Sequence, residues 1–92
     1  MATIRKTSRQ LERHLKGVAN HRRIDILFLI AEHNGVTLGG IAENLNCNIK
    51  TVSEHTRRLV GAGLVNKKYQ GQSVGHSLSP YGKIFYRFLK SF

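Results

Sequence analysis

The sequence contains one cysteine, one proline, no tryptophan and only five acidic residues among 92. A single cysteine, Cys47, excludes an internal disulfide and a cysteine-based zinc cluster, and in that setting it reads as a small packing residue rather than a redox switch. Hydrophobic runs are short. The longest clean one, Ile26-Leu27-Phe28-Leu29-Ile30-Ala31, falls far below the roughly 20 residues of a membrane span and reads as a core helix. Met1-Ala2-Thr3-Ile4-Arg5-Lys6 carries charge but no apolar stretch after it, which argues against a signal peptide and for a cytoplasmic chain. Carboxylates are few, there is no nucleophile–base–acid set and no glycine-rich phosphate loop ahead of a helix. The expectation is therefore a non-enzyme with no catalytic residues and no cofactor. The histidines, His14, His21, His33, His55 and His76, show no His-x-x-x-His spacing, so no metal is expected.

Positive charge is abundant. Fifteen Lys and Arg give a formal net charge of +10, which points to nucleic acid or an anionic membrane surface as partner. With 40% hydrophobic residues the chain can still build a core, so it reads as one folded domain over residues 1–92 rather than a basic tail. A domain of this size buries only about 60–65% of its unfolded surface, which leaves room for a partner to complete it. The charge is segregated. From His55 to Phe92 there is no acid, while Arg57, Arg58, Lys67, Lys68, Lys83, Arg87 and Lys90 lie there. Arg5, Lys6, Arg9, Arg13 and Lys16 add a basic N-terminal arm opposed only by Glu12.

Periodicity and caps divide the chain into helix, helix, helix, helix, hairpin, helix. The first helix runs over 8–18, capped by Thr7 or Ser8, with Leu11, Leu15 and Val18 on one face and Gly17 weakening its end. The second starts at Asn20 and stops at Asn34-Gly35, apolar around most of its circumference and hence central. Thr37 opens a short third helix with Leu38, Ile41, Ala42 and Leu45 at i, i+3, i+4, i+7. Asn46-Cys47-Asn48 breaks it. A fourth helix over 48–61 follows, with Ile49, Val52, Thr56, Leu59 and Val60 expected to face inward. Residues 64–78 then read as a hairpin turning at Gln70-Gly71-Gln72-Ser73, and Ser79-Pro80 caps a last helix over 80–91. Two helices joined by a three-residue turn form a helix-turn-helix, whose second helix enters the DNA major groove. A basic hairpin directly after it makes the winged variant, mainly α with a small β-hairpin.

The ordered set of segments resembles ArsR-type winged-helix transcriptional regulators. Matching stretches are Ala19-Asn20-His21-Arg22-Arg23-Ile24-Asp25-Ile26-Leu27, Thr37-Leu38-Gly39-Gly40-Ile41-Ala42-Glu43-Asn44-Leu45, Thr51-Val52-Ser53-Glu54-His55, Leu59-Val60-Gly61-Ala62-Gly63-Leu64-Val65, and Gly71 to Pro80. The resemblance covers about two-thirds of the chain, Ala19 to Pro80. It implies a homodimeric regulator of double-stranded DNA, with terminal helices that pair, a fourth helix in the major groove and a wing on backbone or minor groove. Metal-sensing members carry cysteines on the helix before recognition, or Asp, His or Glu on the last helix. Neither pattern is present, which makes this a non-metal-sensing variant.

On the fourth helix, Lys50, Thr51, Glu54 and His55 are the expected base contacts. Lys50 can donate to guanine, the Thr51 methyl can touch thymine, and Glu54 can accept from a cytosine amino group. Glu54 equally fits an ion pair with Arg58 or Lys50 that holds the basic side chains. Arg57 and Arg58 suit phosphates, as do Lys67 and Lys68 on opposite faces of a strand, Gln70, Gln72 and Ser73 at the tip, and Thr37 at a helix start. The tip lacks arginine, so its contacts should be weak. Gly39 and Gly40 either allow close backbone approach or leave that helix frayed. Leu11, Leu15, Tyr81, Ile84, Phe85, Phe88 and Leu89 are the expected dimer interface. An apolar stripe on the last helix is better explained by pairing than by a membrane. Two other functions stay open: a nonspecific architectural nucleic-acid binder with a steep salt dependence, and a winged-helix protein-interaction module in a larger complex.

Overall fold

The computed structural model describes residues 5–92; the first four positions of the segment read for a leader lie outside the described residues. Seven elements follow in the expected order: α1 (Ser8–Val18), α2 (His21–Glu32), α3 (Leu38–Leu45), α4 (Ile49–Gly61), β1 (Val65–Gln70), β2 (Ser73–Leu78) and α5 (Pro80–Lys90). Every helix starts on a polar side chain that accepts from an amide of its first turn: Thr7, Asn20, Thr37, Asn48 and Ser79. Caps of this kind stabilise a helix by about 1 kcal/mol each. Thr7 and Gln10 complete a reciprocal capping box.

The core forms where α2 crosses α3 and α4. Ile26, Leu27 and Ile30 of α2 meet Ile41 of α3, Val52 and Leu59 of α4, and Leu64 and Val65 at the hairpin root. Asn46, at φ +51, ends α3 in the left-handed conformation that asparagine tolerates, and the chain re-enters α4 within three residues. β1 and β2 pair antiparallel from Val65↔Leu78 to Gln70↔Ser73. Their two-residue turn places Gly71, at φ +62, in the first central position, as a II′ turn requires.

Several sequence expectations change. Leu11, Leu15 and Val18 share one side of α1 but not one degree of burial: Val18 is in the core with His14 and Gly17, while both leucines, expected at a dimer interface, are exposed. Gly17 does not merely weaken α1. A methyl there would collide with the Cβ of Ala62 at 2.1 Å, so the glycine lets α1 lie against the end of α4. At Gly40 a Cβ would come within 2.9 Å of the Val36 side chain, whereas at Gly39 it would meet nothing nearer than the Thr37 hydroxyl at 3.9 Å. Ile49 is exposed rather than buried, because the core is filled by Val52, Thr56 and Leu59 at the wider spacing. Phe85 and Leu89 are half-buried against the chain's own core, because α5 docks on α2 through the edge-to-face pair of Phe28 and Tyr86. Of the residues expected at the dimer face, these two thus also pack within the chain itself, whereas Tyr81, Ile84 and Phe88 are exposed.

The hairpin also has an unforeseen neighbour. Val36 bridges His76, whose backbone N–H and ring Nδ1 both reach the Val36 carbonyl at 2.9 Å. A carbonyl only accepts, so His76 carries its proton on Nδ1. That bond, and the one from His14 to Ala62, commits one ring nitrogen of each histidine to a backbone carbonyl. Among the described residues no helix is long and apolar enough to cross a membrane.

Candidate nucleic-acid interface

At 100° per residue, Lys50, Glu54 and Arg57 point away from Val52, Thr56 and Leu59, and all three are exposed. Thr51 and Arg58 border this face on one side and Ser53 on the other; Ile49 lies on the inward half of the helix, between Thr56 and Val60, and is exposed where α4 begins. Ser53 escaped the sequence reading because its place beside the outward face becomes evident only once the buried positions are fixed. The outward face is thus cationic, with one carboxylate inside it. That carboxylate is engaged: Glu54 Oε2 accepts from Arg57 Nη2 at 2.6 Å and lies 3.5 Å from Arg58 Nε. The Arg57 hydrogen bond, helped by the charges of Arg57 and Arg58, holds the Glu54 carboxyl below its ordinary pKa. The pair expected with Arg58 is present at 3.5 Å, the nearer partner is Arg57, and no pair with Lys50 forms among the described residues.

His55 does not belong to the outward face. It is half-buried and its Nδ1 accepts from Arg23 Nε at 3.3 Å, so the ring is turned toward α2. Its expected base contact is thereby corrected. Burial first, then the nearby charges of Arg23 and Arg58, push its pKa below the ordinary histidine value. Arg23 also donates to the Lys16 carbonyl at 2.9 Å and the Gly17 carbonyl at 3.2 Å, tying α1, α2 and α4 at one point. At the far end of α4, Arg13 donates to Gly61 O and His14 to Ala62 O, each at 2.6 Å. These bonds satisfy carbonyls that a helix C-terminus leaves unpaired.

The wing adds Lys67 and Lys68 on opposite faces, both exposed, as alternation requires. Lys68 and Gln70 line an open groove with Lys83 and Tyr86, and Lys67 faces the other way. Tyr69, Gln72 and Ser73 are exposed at the tip. Thr37 is exposed, its Oγ1 accepting from Gly40 N at 3.1 Å. Cys47 is half-buried in the turn, with Arg22 Nη1 3.1 Å from its Sγ. Among the described residues no three His, Cys, Asp or Glu side chains come together as a metal site would need.

The model of the MarR family matches residues 19–70, the span from the cap of α2 to the end of β1. The transcriptional activator HlyU of Vibrio cholerae is 34% identical over 65 residues, covering 71% of this chain. The chain spans 59% of that curated relative's length. A solved structure of HlyU from Vibrio cholerae superposes with a TM-score of 0.83 at 29% identity, covering 96% of each chain. A domain of Mb0332 from Mycobacterium bovis, described as a homodimeric winged helix-turn-helix DNA-binding domain, gives a TM-score of 0.83 at 24% identity over 99% of this chain and 88% of that one. The fold is a winged helix-turn-helix.

Proposed function

Because this chain belongs to the MarR family, we propose that it is a sequence-specific regulator of transcription that binds double-stranded DNA as a homodimer. The observation that carries this reading is the outward face of α4: Lys50, Thr51, Ser53, Arg57 and Arg58 stand exposed outside a fully buried stripe, directly before a basic hairpin. A helix presenting donors in its first turns and guanidinium groups further along suits base edges and phosphates respectively. Lys50 and Thr51 take the base edges; Arg57, Arg58, Thr37, Gln70, Gln72, Ser73 and the wing lysines take phosphates. Pairing uses Leu11 and Leu15 of α1 with Tyr81, Ile84 and Phe88 of α5, large apolar side chains left exposed on the two terminal helices. Those helices meet where the His14 and Tyr81 rings lie 5.1 Å apart. The ordered segments between Ala19 and Pro80 that resemble ArsR-type regulators support a relation to that neighbouring winged-helix family as well.

Selection of bound duplexes from a random pool, followed by titration at several salt concentrations, tests this. The expected result is an enriched sequence bound at least about 10³-fold tighter than random DNA. Arg57→Ala should weaken binding to every sequence and reduce the salt slope by about one, whereas Lys50→Ala should change which sequence is selected. Equal affinity for selected and random DNA would leave a nonspecific architectural binder. No DNA binding at about 150 mM salt together with a co-purifying protein would leave an interaction module.

A further inference from the structure

We infer that Ile49 recognises a thymine through its C5-methyl group; this deepens the reading of α4 as the recognition helix and rests on it. Eight large apolar side chains are exposed among the described residues. Six of them, Leu11, Leu15, Tyr81, Ile84, Phe88 and Phe92, lie on or just beyond the terminal helices. The other two, Ile49 and Tyr69, stand among the cations of α4 and the wing. Ile49 occupies the first position of α4 with 52% of its surface open, and it is not part of the half-buried shell around the core. An isolated exposed apolar residue ordinarily needs no explanation. This one is the first residue of α4, beside Lys50 and one turn before Ser53, and is left open where the helix begins.

The first turn of a recognition helix is where base edges are met. In the major groove thymine alone offers a methyl group, and an isoleucine side chain has no hydrogen-bonding atom with which to meet any other edge. Lysine, threonine and serine around it can satisfy donors and acceptors. Ile49 gains only from apolar contact, so it discriminates by methyl burial. Asn48, whose Oδ1 accepts from the Lys50 amide at 2.7 Å, fixes the first turn that carries it.

Deoxyuridine differs from thymidine only by that methyl. In the selected sequence each thymine is replaced in turn by deoxyuridine, and affinity is measured for the full chain and for Ile49→Ala. One thymine per half-site should cost the wild-type chain about fourfold in affinity, the scale of one buried methyl group. Ile49→Ala should be insensitive at that position while unfolding in urea at nearly the wild-type midpoint, which shows that the exposed substitution leaves the fold intact. If both proteins lose equally at every position, or neither loses anywhere, the inference is overturned while sequence-specific binding stands. If no sequence is selected at all, the recognition-helix reading falls, and this inference with it.

Discussion

Gly17 and Ala62 occupy one space: a Cβ built on Gly17 would lie 2.1 Å from the Cβ of Ala62. Alanine is ordinarily better than glycine inside a helix by about 1 kcal/mol. Here overpacking, which typically costs about 1–3 kcal/mol, should win. Gly17→Ala is expected to lower stability in urea unfolding, and Ala62→Gly should rescue it, so that Gly17→Ala becomes neutral or stabilising in the Ala62→Gly background. A stabilising Gly17→Ala in the unaltered chain would show that the contact imposes no constraint.

Glu54 holds Arg57 and, more loosely, Arg58. Glu54→Gln removes the negative charge and frees both guanidinium groups for phosphates. Affinity for random DNA is expected to rise about threefold at low salt, with a steeper salt dependence. The selected sequence should stay the same. A changed preference at one base pair would instead make Glu54 a reader of cytosine.

His55 should impose a pH dependence on stability. Its folded pKa lies below the ordinary value, so beneath about pH 6.5 the unfolded chain takes up a proton that the folded chain refuses. Its contribution is complete above that pH and is lost as pH falls through the folded pKa. The groups facing it are Arg22, Arg23, Arg58 and Glu54. Glutamine keeps an acceptor for Arg23 and cannot titrate, so His55→Gln should lose less stability than the wild type between pH 7 and pH 5. Superimposable stability curves would remove His55 from the account.

Exposed and half-buried aromatics of α5 should separate by assay. Phe88→Ser combined with Leu15→Ser is expected to shift sedimentation from dimer to monomer while leaving monomer unfolding nearly unchanged. Phe85→Ala, on the inward side, should instead cost about 1–3 kcal/mol in unfolding. If the double variant sediments like the wild type, the interface lies elsewhere.

Element order and helix starts were legible in the sequence because each depends on local chemistry: Thr7, Asn20, Thr37, Asn48 and Ser79 cap where their side chains predict. Which face of a helix turns inward was less so. Ile49 and Phe85 are both apolar and both lie at stripe spacing, yet one is left outside and the other is packed, because neighbouring helices decide. His55 shows the same limit. Nothing local reveals that Arg23, 32 positions earlier, donates to its ring. The Val36–His76 bridge and the Gly17–Ala62 contact are likewise pairings of distant positions, without a motif of their own. Glu54 with Arg57 and Arg58 was accessible to spacing rules, since all three lie within one helical turn.

Arg13, His14 and Gly17 grip the end of α4, and Arg23 fastens its middle to the end of α1. In a pair of copies joined through α1 and α5, this makes the assembly a ruler. The two α4 helices cannot swivel independently, so the separation and helical phase of the two half-sites are set by protein rather than by DNA. Adding one base pair between half-sites turns the second by about a tenth of a turn. Such an operator would keep every contacted base and still be held by one copy alone.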